Sequence, residues 1–252
     1  MRTLLTTALL TLAACGGPPE TVGYVVDVWD NPIPEADVIL PSLNLRMTTD
    51  EGGRFTFPTV EGPIDVKVGR AGYIHDELKL ALDPEAPRPT VQLYKKPEAN
   101  GFYAIDQAGY TKLEPQTIQQ FGSRIEQLQG VRTLGDVSMQ GDQLSVILHT
   151  DLKLDQVMRL GLKLHKLEYT EEALVSGSIE GEPVAVNLWT SAKTIDLEIT
   201  ALRSKKDYLA ESPEGLEPGA YAIDTQSLLV PSSPGFLRVP KALRVAYPLE
   251  LR

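Results

Sequence analysis

The chain has 252 residues, a formal net charge of −10, 42% hydrophobic residues, 19 prolines, 20 glycines and a single cysteine. That balance suits one large or two small globular domains and excludes collagen-like, wholly disordered and polytopic membrane proteins. The acidic excess also argues against nucleic acid as a partner and against a polybasic grip on anionic lipid, since both need cations that displace counterions or pair with headgroups. Proline exceeds its usual share of about 5% and glycine is abundant, so many turns and short elements are expected, and with them a mainly all-β fold.

Met1 to Ala14 carries one positive charge, Arg2, then the apolar run Leu4 to Leu12 and small residues. This is the pattern of an export signal, too short to span a bilayer. Leu12-Ala13-Ala14-Cys15 resembles the bacterial lipobox, in which the cysteine receives a diacylglyceryl group and the chain is cut before it. The resemblance implies lipidation at Cys15, with 1–14 as signal peptide and 15–20 as lipidated cysteine and tether. Acyl chains would then hold the protein to the membrane at about 0.8 kcal/mol per buried methylene. No aspartate follows Cys15, which for lipoproteins implies the outer membrane, leaving open whether the protein faces the periplasm or the surface. Cys15 is the only cysteine, so an intramolecular disulfide is ruled out and stability must come from buried cores.

Residues 21–94 alternate strand-like runs with turn formers. Gly23 to Val28 is extended and rich in β-branched residues, and Asn31-Pro32-Ile33-Pro34 then breaks pairing, because proline has no N–H to donate. Ala36 to Leu40 resumes a strand. Thr48 to Phe57 places Asp50-Glu51-Gly52-Gly53 between two strand ends and predicts a hairpin with Phe55 and Phe57 on one face. Ile64, Val66 and Val68 alternate with Asp65 and Lys67, a corner follows at Gly69 to Tyr73, and Thr90 to Tyr94 closes the unit.

This order resembles the carboxypeptidase regulatory-like domain, a transthyretin-like (prealbumin-like) β-sandwich. The resemblance rests on Gly23-Tyr24-Val25-Val26-Asp27, Asn31-Pro32-Ile33-Pro34-Glu35-Ala36-Asp37-Val38, Thr49 to Phe57, and Ala71-Gly72-Tyr73. It implies a spacer or adhesive module without catalysis. Asp27, Asp30 and Asp50 are expected to serve their own turns rather than to bind calcium. Trp29, at the first turn, is a candidate ligand contact if its ring is exposed.

Residues 95–100 are polar and carry a proline, the expected linker, and 101–252 read as a second β-rich domain of unknown function. Strands are expected at Tyr103–Ile105, Leu144–Leu148, Leu160–Leu164, Val184–Trp189 and Ile195–Ile199, with at most one or two short helices. One helix is expected over Thr117–Leu128, where Ile118, Phe121, Ile125 and Leu128 share a helical face, weakened by Gly122. Gly101-Phe102-Tyr103-Ala104-Ile105-Asp106 is echoed by Gly219-Ala220-Tyr221-Ala222-Ile223-Asp224. Either a pseudo-repeat places two equivalent strands in one sheet, or shared strand preferences coincide.

His165-Lys166-Leu167-Glu168 matches the His-x-x-Glu pair of zinc carboxypeptidases, but no histidine follows it to complete three ligands. In an alternating strand, residues three apart also face opposite sides. His75, His149 and His165 are therefore expected to be surface or hydrogen-bonded residues. Nucleophile elbows, phosphate loops and His-Glu-x-x-His are absent from the sequence, and no cofactor or metal is expected. The functional expectation is a non-catalytic, lipid-anchored envelope protein that binds or scaffolds a partner. A glycan-binding surface using Trp29 and Trp189 is the alternative, and a carboxylate-dependent hydrolase is a further one.

Overall fold

The computed structural model describes residues 19–81, 88–107, 109–122, 127–176, 183–231, 233 and 236–252. The expected export signal and Cys15 lie outside the described residues. The chain divides into two compact units, one ending at Tyr94 and the other beginning at Lys95.

The first unit contains β1 (Glu20–Asp27), β2 (Asp37–Leu40), β3 (Leu45–Thr48), β4 (Arg54–Pro58), β5 (Ile64–Gly69), β6 (Asp76–Leu80) and β7 (Thr90–Leu93). They form two sheets, ordered β4-β1-β7 and β3-β2-β5-β6, with β7 parallel to β1. Alternation along each strand decides which face is buried. In β5 the residues Ile64, Val66 and Val68 point inward while Asp65 and Lys67 are exposed. They meet Val25, Phe55, Phe57, Val91 and Leu93 from the other sheet in a single core, so the unit is a β-sandwich. Phe55 and Phe57 are both 2% exposed, with ring centroids 5.9 Å apart.

The Thr48–Phe57 segment is not the expected hairpin. β3 pairs with β2 and β4 pairs with β1, so the turn carries the chain from one sheet to the other. The reversal itself is local: Asp50 Oδ1 accepts from the N–H groups of Gly52 and Arg54, both at 2.9 Å, and Gly53 takes φ +67°. Which strands receive the two arms is decided from a distance. Buried Thr49 accepts from the Ala36 N–H at 2.8 Å and donates to the Ile33 carbonyl at 2.7 Å, which fixes the arm before the turn. Across the turn, the Val25 N–H reaches the Gly53 carbonyl at 2.8 Å.

The second unit contains β8 (Gly101–Asp106), β9 (Gly109–Lys112), β10 (Gln116–Thr117), β11 (Gln119–Gly122), β12 (Gln127–Val131), β13 (Ser138–Met139), β14 (Ser145–His149) and α1 (Leu154–Arg159). β15 (Leu162–Ser176), β16 (Pro183–Asp196), β17 (Glu198–Ala201), β18 (Asp207–Glu211), β19 (Gly219–Thr225) and β20 (Val245–Leu251) complete it. Among the described residues one sheet runs β10-β20-β19-β15-β16-β12-β11, with β13 joining β20, and the other runs β17-β18-β14-β8-β9. Phe102, Ala104, Val146, Leu148 and Tyr208 of the smaller sheet share a core with Leu162, Leu164, Tyr221, Ile223, Leu249 and Leu251 of the larger. The larger sheet is buried on its other face too. Ala220, Ala222, Ala246 and Leu167 there pack beneath Leu228, Leu229 and Phe236.

The expected helix is corrected here. Thr117–Leu128 is not helical: β11 and β12 pair antiparallel with Phe121 opposite Leu128, and Gly122 takes φ +93°, which a right-handed helix cannot contain. Ile125 lies outside the described residues. Of the two readings of the echoed segments, shared strand preference fits: they become β8 and β19, which belong to different sheets. Phe102 and Ala104 face the shared core from one, Tyr221 and Ile223 from the other, so inward positions are offset by one residue and the strands are not equivalent. The fold is all-β with one short α-helix and two 3-10 turns among the described residues.

Candidate functional site

In the second unit, β8, β14, β19 and β20 converge with the end of α1 and the segment following Phe236 around a cavity of about 640 Å³. Phe102, Leu148, Leu160, Val245 and Tyr247 supply much of its apolar wall. Asn100, His149, Thr150, Thr225, Gln226 and Arg238 supply polar groups. The volume falls within the range of about 300–1,000 Å³ typical of small-molecule sites.

Strand register fixes His149. It lies opposite Asp207 in the β14–β18 ladder, so the two side chains stand on one face as close neighbours. Nδ1 meets Asp207 Oδ1 at 2.6 Å, and Asp207 is wholly buried. With Nδ1 facing that carboxylate, Nε2 is the ring atom left for other partners. Asp207 Oδ2 has no hydrogen-bond partner among the described residues. On the opposite wall, the ring of Tyr247 lies 4.5 Å from that of Phe102, and burial pushes its phenol pKa above the usual range. The hydroxyl therefore stays neutral at physiological pH.

A second buried histidine has a different role. His165 is 0% exposed. Its Nδ1 meets Ser191 Oγ at 2.8 Å and its Nε2 meets Asp224 Oδ1 at 3.0 Å. The composition is that of a Ser-His-Asp relay, but Asp224 Oδ2 also accepts the Leu229 N–H at 2.6 Å, closing the turn after β19 in which Gln226 and Ser227 take positive φ. None of the three residues lines the cavity. The arrangement can clamp the segment that covers the outer face of the larger sheet. Glu168, the other half of the His-x-x-Glu pair, is exposed while His165 is buried. No group of three or more His, Cys, Asp or Glu suited to a metal occurs among the described residues.

The two tryptophans are not brought together. Trp29 sits half-buried in a turn of the first unit, where its backbone N–H donates to Asp27 Oδ1 at 2.9 Å. Trp189 lies on β16 of the second unit, half-buried, with its ring 5.1 Å from that of Tyr169, which is 49% exposed. Neither lines the cavity. Asp27 and Asp50 serve their turns: Asp27 also accepts from the Asn31 backbone and side-chain N–H groups. His75 is exposed. The His149–Asp207 pair had no local signal, since its members are 58 residues apart and meet only through strand register.

No family model matches this chain, and no curated protein matches it. Among solved structures, a streptococcal ancillary pilin matches over 84% of this chain and 54% of the pilin chain, at 12% identity and a TM-score of 0.23. The chain thus spans about half the length of that pilin chain, and a superposition this loose carries no argument about fold or function.

Proposed function

We propose that this chain is an exported, lipid-anchored protein of the bacterial cell envelope, non-catalytic, whose first unit is a spacer and whose second unit holds a ligand or partner. The observation that carries the reading is the open cavity of the second unit, where an apolar wall meets a few oriented polar groups. The anchor is supported by Leu12-Ala13-Ala14-Cys15, with the outer membrane as the expected site. The spacer role is supported by the two-sheet sandwich of the first unit and by its sequence resemblance to carboxypeptidase regulatory-like domains. A second reading, a glycan-binding surface, is favoured by the half-exposed Tyr169–Trp189 pair, which offers a ring for a sugar to stack on.

The test is cross-linking in native membranes followed by purification and mass spectrometry, run on the natural chain and on Val245→Trp, which fills the cavity from β20. A companion recovered with the natural chain and lost with Val245→Trp is the expected result. A companion that Val245→Trp retains would move the site away from the cavity, and Tyr169→Ala would then test the glycan surface. Cys15→Ser should release the protein from membranes, and a variant that still sediments with them would overturn the anchor.

A further inference from the structure

The cavity is rimmed by the segment Leu237-Arg238-Val239-Pro240-Lys241-Ala242-Leu243-Arg244, which holds three basic residues and no acidic one in a chain of net charge −10. Arg238 and Leu243 line the cavity, and Lys241 lies between the lining residues Pro240 and Leu243. Arg244 is committed to the fold: its Nε donates to the Val239 carbonyl at 2.9 Å and its guanidinium lies over the Phe236 ring. Arg238 and Lys241 are both exposed and form no ion pair among the described residues. Beside them Leu237 is 76% exposed and Leu243 61%. No carboxylate lines the cavity among the described residues, though two bond to residues that do: Asp207 to His149, and Asp151 to Asn100 at 3.3 Å.

Unpaired cations beside exposed leucines, at the mouth of a cavity with an aromatic and aliphatic wall, are complementary to a molecule that is anionic at one end and apolar along its length. We infer that the cavity is a site for a single-chain amphiphile ending in a carboxylate, an inference that rests on the reading of the second unit as the ligand-holding part. The apolar chain lies against the wall that includes Phe102, Leu148 and Val245. Arg238 and Lys241 meet the carboxylate at the rim. His149 and Tyr247 are further residues with polar groups that line the cavity.

The experiment titrates the full chain carrying Cys15→Ser, so that no covalent acyl chain of its own competes, with dodecanoate, dodecanol and dodecyltrimethylammonium below micelle-forming concentrations. Calorimetry should show dodecanoate binding one to one, dodecanol at least about tenfold weaker, and the cation not at all. Arg238→Gln with Lys241→Gln should weaken dodecanoate about tenfold while leaving the melting temperature unchanged, since both side chains are exposed. Equal binding of dodecanol and dodecanoate, both lost in Val245→Trp, would overturn the anionic preference and leave the cavity as a ligand site. Sedimentation with phosphatidylglycerol vesicles without uptake of dodecanoate would make the segment a membrane contact and overturn the proposal. If no amphiphile binds while the native companion is still lost in Val245→Trp, the proposal falls and the broader reading of the second unit stands.

Discussion

Asp224 uses both carboxylate oxygens inside the protein, one on His165 and one on the Leu229 N–H, with no surface left to solvent. Removing it leaves the buried Nε2 of His165 and the buried Leu229 amide without their partner, and breaking such a set costs about 3 kcal/mol or more. Asp224→Ala should therefore lower the unfolding free energy of the second unit by that amount, read as a lower urea midpoint with an unchanged slope. A loss under about 1 kcal/mol would show that the clamp contributes little. At this scale the sequence was legible where a side chain serves its own neighbours. Asp27 and Asp50 could be assigned to turns because an aspartate bonds backbone N–H groups two to four residues on. It was not legible for His149, His165, Asp207 and Asp224, whose partners are separated by tens of residues and meet only once the strands have aligned.

Turns and strands show the same division. Asp27 accepts three hydrogen bonds at the end of β1, from the N–H groups of Trp29 and Asn31 and from the Asn31 amide. Asp27→Ala should cost about 2 kcal/mol, read as a lower melting temperature of the first unit, while Asp27→Asn, which keeps an accepting oxygen, should recover part of it. A full loss with Asn would mean that the charge, rather than the geometry, sustains the turn. Period-two alternation located β1, β2, β4, β5 and β7 in sequence, but it reports which face is buried and not which strand lies alongside. For that reason the sequence predicts a hairpin at the Asp50–Gly53 reversal, although its arms enter different sheets. Over Thr117–Leu128 the apolar spacing fitted a helix, and Gly122 at φ +93° together with pairing to β12 decided for strands. α1, only Leu154–Arg159, is too short to impose a periodicity.

Across each whole unit, buried cores carry the stability, and the second unit also buries several phenols. Burial raises the pKa of Tyr208, Tyr221 and Tyr247 above the usual tyrosine range; neighbouring carboxylates add to the effect, and at Tyr221 the Lys166 ammonium opposes it. An unfolded chain ionises its tyrosines near about pH 10, whereas the folded unit holds these protons to higher pH. The stabilisation is thus complete below about pH 10 and is lost as pH rises through the folded values. Stability measured across that range should fall on the alkaline side, and Tyr221→Phe should make the fall shallower. An unchanged slope would show that this phenol does not contribute. Tyr221→Phe should also cost about 1 kcal/mol at neutral pH, through loss of the 2.7 Å bond to the Glu217 carbonyl. In the first unit, β1 enters and β7 leaves, side by side and parallel, from Tyr24 opposite Thr90 to Asp27 opposite Leu93. Tension applied at the two ends of this unit pulls those strands in opposite directions along their length, so their hydrogen bonds are strained together rather than one after another. The sandwich therefore yields by shear and not by unzipping, the geometry of a link that holds its shape under load.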